Sequence, residues 1–235
     1  MRVPPALGLL LLAPLASAGN ADALLSRLVA AAPGVNPEAV ALALQSVRCA
    51  TGQAAEQAAR RLAVIDYSKP STEQRLWVFD LQRQSVLYVE HVAHGQASGG
   101  NLATNFSNRP GSHQTSLGLY RTAATYRGAN GYSLRLEGLE PGFNDRAQER
   151  AIVMHGAPYV SEAVIKAQGR LGRSHGCPAV RQAVAVPLID SLKDGQYVFA
   201  YYPDEQWLHG LLRSCPAVRA AGPMMAAIAP ASARD

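Results

Sequence analysis

Cysteine is scarce in this 235-residue chain, with three in all, and charged residues make up only 17% of it. No tract interleaves Lys and Arg with aromatics, so nothing in the sequence supports a nucleic-acid partner. No internal repeat sets a period, and low complexity is confined to an Ala-rich tail after Arg219 that is expected to fray. Beyond the first residues no apolar run approaches the roughly 20 residues needed to cross a bilayer. A compact pair of metal ligands is also missing, and no Asp or Glu lies beside the cysteine and histidines considered below.

What is present describes a folded protein. A 48% hydrophobic fraction and this length suffice for one main domain with appendages. The net charge of +5 falls to about +4 if a leader carrying Arg2 is removed, a mild bias toward acidic polymers. Residues 1–18 read as a secretory signal: Arg2, an apolar centre over 7–15, and Ala16-Ser17-Ala18 as a small-residue cleavage site. Pro14 and the shortness of the centre argue against a spanning anchor. The expectation is an exported protein of the periplasm or cell wall, without a stable membrane span after signal cleavage.

Export makes the cysteines informative, because disulfides persist in oxidising compartments and an odd cysteine suggests a free reactive thiol. Cys49 and Cys215 lie in the flanking segments and either form a bridge or stand as unrelated buried thiols. Cys177 closes Ser174-His175-Gly176-Cys177.

Apolar spacing predicts helices over 22–29 and from Asn36-Pro37 to near Gly52, the latter with Val40, Leu44 and Val47 in one stripe. Strands are predicted at 62–67, 76–81, 86–89, 117–122, 132–136, 151–154 and 197–201. Short helices fit at 159–168 and within 180–193, where Pro187 should break or restart the helix. The chain therefore divides into a signal peptide at 1–18, a helical segment at 19–60, a β-rich domain at 61–203 and a C-terminal helix and tail at 204–235. The Gly-, Asn- and Ser-rich loop over 95–111 is either an active-site lid or slack.

A nucleophilic thiol needs a base, a group that orients the base, and donors for the oxyanion. The run from Arg150 to Gly156 reads as a buried strand delivering His155 at its end. The amides of Gly176 and Cys177 are candidates for the oxyanion, from which Pro178 is excluded because it has no N–H. Arg173, His175 and His155 are the cations expected to lower the Cys177 pKa. A lone histidine at a strand end is usually a core residue and a lone cysteine a small hydrophobe. A buried thiol does not call for two histidines, an arginine and three nearby glycines.

At these residues the sequence resembles the L,D-transpeptidases with a YkuD-like catalytic domain, whose signature is His-Gly, a spacer, then Ser/Thr-His-Gly-Cys. Here it is matched by His155-Gly156 and Ser174-His175-Gly176-Cys177. The tracts 106–114, 134–144 and 172–179 are similar to the branch described as murein L,D-transpeptidase catalytic-domain proteins, and the resemblance covers about 75–202. It implies a mainly β, β-sandwich-like catalytic domain with small helices and flanking N-terminal helices. It also implies that Cys177 attacks the third-residue carbonyl of a peptidoglycan stem tetrapeptide. His155 would be the base, oriented by the Gly156 carbonyl, and His175 would support the loop and oxyanion site. Substrate contacts are expected from Arg173, Ser174 and Gly176, and from Ser112 and His113. The implied partners are peptidoglycan stem peptides, with no cofactor required. The 18 residues between His155 and Ser174 and the pair Pro178-Ala179 depart from the family pattern and leave the acceptor open.

Hydrolysis on the same scaffold, as in an L,D-carboxypeptidase or endopeptidase, differs only in the acceptor. A zinc site of His155, His175 and Cys177 and a non-catalytic wall-binding module are rival readings from other classes. Papain-like proteolysis needs the cysteine before its histidine, the reverse of the order here. Oligomeric state is not encoded in any feature noted above.

Overall fold

A computed structural model describes residues 16–215, so most of the expected leader and all of the tail after Arg219 lie outside the described residues. Two helices come first, α1 (Ala16–Ala31) and α2 (Pro37–Ala58). Asn36 caps α2 through its Oδ1, which accepts the Glu38 N–H at 3.0 Å, with Pro37 at the first helical position. The helix runs past Gly52 to Ala58, beyond the expected end. One interior glycine costs only about 1 kcal/mol, and the Gln, Ala and Glu residues that follow are strong helix formers.

The strands are β1 (Arg61–Asp66), β2 (Leu76–Asp80), β3 (Ser85–Glu90), β4 (Gly118–Gly128), β5 (Gly131–Gly138), β6 (Val153–Ala157), β7 (Ala179–Arg181) and β8 (Tyr197–Tyr201). They form one sheet in the order β3-β2-β1-β8-β4-β5-β6-β7, with β1/β8 and β6/β7 parallel. Three further helices are α3 (Glu162–Gln168), α4 (Gln182–Leu192) and α5 (Glu205–Ser214). The expected mainly-β domain with small helices and N-terminal flanking helices is what the structure shows, its sheet curled into a near-barrel.

Central strands read as continuous apolar runs because both of their faces are covered. Leu62 and Val64 of β1, Trp77 and Phe79 of β2, and Tyr197, Phe199 and Tyr201 of β8 pack with Leu28, Val40, Leu44 and Val47 of α1 and α2. The alternate residues Ala63, Ile65, Leu76, Val78 and Val198 pack with Ala185, Leu188, Ile189 and Leu192 of α4. Each fully buried Leu, Val or Phe contributes about 1.5–3 kcal/mol.

The sheet's two edges are stitched together. Past β3, the Ala93 N–H donates to the Ala179 carbonyl of β7 at 2.8 Å. Arg181 forks onto Glu90 through Nε and Nη2 at 2.8 and 2.7 Å. Strand β7 was not predicted from the sequence: three residues following Pro178 are too short to show a period of two.

Two helices depart from expectation. Pro187 lies inside α4 without ending it, because Ala185, Leu188, Ile189 and Leu192 bury that helix against the sheet. Helix α3 begins at Glu162, capped by Ser161, and the expected residues 159–161 form a turn. Helix α5 is fixed by a buried carboxylate. Glu140 accepts from Trp207 Nε1 at 2.6 Å and from the Leu119 N–H at 2.8 Å, in a space where a Cβ on Gly118 would lie 2.4 Å from its Oε2. Burial pushes Glu140 up to about 7, against the two hydrogen bonds that favour its charged form. Cys215, which follows α5, is disulfide-bonded to Cys49 of α2, leaving Cys177 as the free thiol among the described residues.

Candidate active site

Strand β6 lies between β5 and β7, and α4 covers one of its faces so closely that a Cβ on Gly156 would meet the Ala185 Cβ at 2.7 Å. Alternation turns His155 to the opposite face, where it is 4% exposed. Its Nδ1 lies 3.1 Å from the Gly156 carbonyl, which can only accept. Nδ1 therefore carries the proton, and Nε2 is the basic nitrogen. Burial lowers the His155 pKa, so the ring is neutral at neutral pH.

Parallel pairing of β6 with β7 sets His155 opposite Ala179. Cys177 precedes Ala179 by two residues, and its Sγ accepts the N–H of Val153, two residues before His155, at 3.4 Å. The thiol thus lies beside β6 two residues before His155, packed against the apolar cluster that includes Ile152 and Met154. The S–H faces the Ala151 carbonyl at 3.8 Å.

The Ser174–Cys177 turn is held from within. Ser174 Oγ donates to the Cys177 carbonyl at 2.6 Å and accepts the Gly176 N–H at 3.0 Å. That occupies one of the two amides expected at the oxyanion, and among the described residues the Cys177 N–H has no hydrogen-bond partner. Gly176 has φ +119, a left-handed conformation that disfavours any side chain, and a Cβ there would lie 2.7 Å from the Gln114 carbonyl.

The 95–111 loop, expected as lid or slack, is tied down beside this turn. Gln96 N–H donates to the Ser174 carbonyl at 2.7 Å, and the Ser174 N–H to the His94 carbonyl at 3.0 Å. Arg173 holds the same loop, donating to the carbonyls of Gln96 and Gly99 at 3.1 and 2.7 Å. Its guanidinium is thereby directed to backbone carbonyls. His113 stacks on His175 with ring centroids 4.2 Å apart, and its Nδ1 is 3.0 Å from Gln96 Nε2. Ser112 Oγ accepts from Arg150 Nη2 at 3.3 Å.

Two parts of the site escaped sequence reading. Fully buried Arg75 donates to the Val92 carbonyl and to His94 Nδ1 at 2.8 Å, which leaves the His94 Nε2–H to face the Gly99 carbonyl at 3.5 Å. Burial, with Arg75 beside it, pushes His94 down to about 4, so this ring is a neutral strut under the loop. The second is Arg150, which opened the run read as the strand leading to His155 and reaches the 107–116 loop through Ser107, Ser112, Gln114 and Ser116.

The thiol itself departs from expectation. Burial pushes Cys177 above its ordinary value, outweighing the Val153 N–H and the charge of Arg150, which act to lower it. The resting pair is a neutral thiol and a neutral imidazole. Among the described residues, no three His, Cys, Asp or Glu side chains are grouped to hold a metal ion, and no helix is long and apolar enough to cross a membrane.

A family model described as L,D-transpeptidase catalytic domain matches residues 31–201. No curated protein sequence matches the chain. Among solved structures, the chain is similar to an L,D-transpeptidase from Mycobacterium smegmatis at 15% identity and TM-score 0.39, over 61% of this chain and 59% of that one. L,D-transpeptidase 3 from Mycobacterium tuberculosis matches at 14% and 0.38, over 61% of each chain. The helical cell shape determining protein Pgp2 from Campylobacter jejuni matches at 13% and 0.40, over 62% of this chain and 48% of that one. The similarity spans less than two thirds of each of those proteins.

Proposed function

Because the chain belongs to the L,D-transpeptidase catalytic-domain family, we propose that it is a cysteine acyltransferase of peptidoglycan stem peptides, acting outside the cytoplasm. The observation that carries this reading is the parallel register of β6 and the residues leading into β7. It brings Cys177, whose thiol accepts the Val153 N–H, to within two residues along β6 of a histidine whose Nδ1 is held by the Gly156 carbonyl.

In this reading Sγ leaves the Val153 N–H when substrate enters and passes its proton to His155 Nε2, contacts that apo sites often lack. The sulfur attacks the carbonyl of the third stem residue, and the Cys177 N–H donates to the oxyanion. The C–S bond forms, the C–N bond to the terminal D-residue breaks, and His155 returns the proton to the leaving amine. A second stem amine then attacks the thioester, making a new amide and restoring the thiol. Water in place of that amine gives a shortened stem instead.

Ser174 and Gly176 shape the turn, His175 braced by His113 supports it, and Arg173 fixes the neighbouring loop, so these residues present the thiol. The leader at 1–18 provides export, and the domain at 61–203 carries the chemistry.

Intact-mass analysis after exposure to a carbapenem tests the assignment. The expected result is one acyl adduct, mapping to Cys177 and lost in Cys177→Ser. A folded wild-type protein that gains no adduct and leaves purified muropeptides unchanged would overturn it, and mass analysis of the same muropeptides separates crosslinked from shortened products.

A further inference from the structure

Arg150 is a half-buried cation whose four acceptors are all uncharged. Its guanidinium donates to the Ser107 carbonyl at 2.7 Å, to Ser116 Oγ, to Ser112 Oγ at 3.3 Å and to the Gln114 carbonyl. No carboxylate pairs with it among the described residues, although its neighbour Arg146 pairs with Glu149 and Arg181 with Glu90. The same guanidinium lies against Gly176, where a Cβ would sit 3.2 Å from Nη2. A charge withdrawn from water without a counter-ion is costly, and the hydrogen bonds recover only part of that cost. The resting structure therefore keeps a positive charge beside its nucleophile with nothing to balance it.

The surroundings of Cys177 contain no rival for that role. Burial holds the neighbouring phenols protonated, Tyr159 at about 12 and Tyr67 higher still. His155 is neutral. Among the described cations it is Arg150 whose charge acts on Cys177, while Arg173 holds the 96–99 loop and His175 stacks on His113. We propose that Arg150 is a positioning residue with two tasks: it clamps the 107–116 loop against Gly176, and its charge balances the Cys177 sulfur when the thiol gives up its proton. The coupling is mutual, since Arg150 acts to lower Cys177 and an ionised Cys177 acts to raise Arg150. The inference rests on the thiol chemistry proposed above and adds the source of its counter-charge.

The rate of Cys177 alkylation by iodoacetamide, followed against pH in the full disulfide-bonded chain, tests this independently of turnover. Removing a nearby opposite charge shifts a pKa by about one unit or more. Arg150→Gln is thus expected to move the alkylation profile up by about one unit and to slow the reaction about tenfold at neutral pH. Arg150→Lys keeps the charge and should hold the profile within about 0.3 unit of wild type, while carbapenem acylation slows because the fork onto the loop is lost. A folded Arg150→Gln with the wild-type profile would overturn the proposal. If that variant does not fold, Arg150→Lys decides alone, and an upward move of a unit or more despite the retained charge would overturn it. Loss of muropeptide turnover by wild type would strike the enzyme assignment and leave this profile standing.

Discussion

At the scale of single residues, the division of labour follows from which nitrogen is free. His155 Nδ1 is bound to the Gly156 carbonyl and Nε2 has no partner among the described residues, so His155→Ala should slow acylation by about 10²–10⁴-fold. Cys177→Ser should abolish it, because the hydroxyl's pKa leaves no usable nucleophile. Stopped-flow acylation by a carbapenem measures both, and equal rates for wild type and His155→Ala would remove His155 from the mechanism. Burial lowers the His155 pKa below its ordinary 6.5. The neutral base consequently persists as pH falls through 6.5, and the acid limb of acylation should lie below that value. Gly176→Ala must shift the Gln114 carbonyl and adopt φ near +119, with an expected cost of about 1–3 kcal/mol and a larger loss of acylation than of stability. The proposed nucleophile and base were legible in sequence because each sits in a short motif, His155-Gly156 and Ser174-His175-Gly176-Cys177. Arg150 and His94 were not, because their partners lie in loops and strands far along the chain and no local pattern announces them.

Among the elements, seven of the eight strands show in the sequence as β-branched or aromatic runs bounded by turns. β7 stays hidden because it is three residues long and its place is set by its neighbours on either side. Pro187 misled the reading of α4, where four buried apolar side chains outweigh one missing hydrogen bond. Helix α5 carries a testable pH signature through Glu140, raised from its ordinary 4.5 to about 7. Because the folded-state value is the higher one, the group binds its proton more tightly in the native protein. Its contribution is complete below about 4.5 and is lost as pH rises through 7. Urea unfolding of wild type and Glu140→Gln at several pH values should therefore show their stability difference moving against wild type by about 3 kcal/mol between pH 4.5 and 8. A difference independent of pH would mean that the Trp207 and Leu119 donors keep the carboxylate charged throughout.

For the whole molecule, the bond between Cys49 and Cys215 joins positions 166 residues apart. In the chain-entropy model such a closure contributes about 5 kcal/mol. Cys49→Ser should lower the unfolding midpoint, and thiol counting of the denatured protein should give one free thiol without reductant and three with it. The same bond encloses all eight strands in a covalent ring, which matters when the chain is loaded mechanically. A load applied across the two termini passes through the sulfur–sulfur link and bypasses the sheet, so only α1, part of α2 and the ends outside the ring can be drawn out. A single-molecule extension experiment should release the ring's contour, about 550–600 Å for 166 residues, only once a reductant is added.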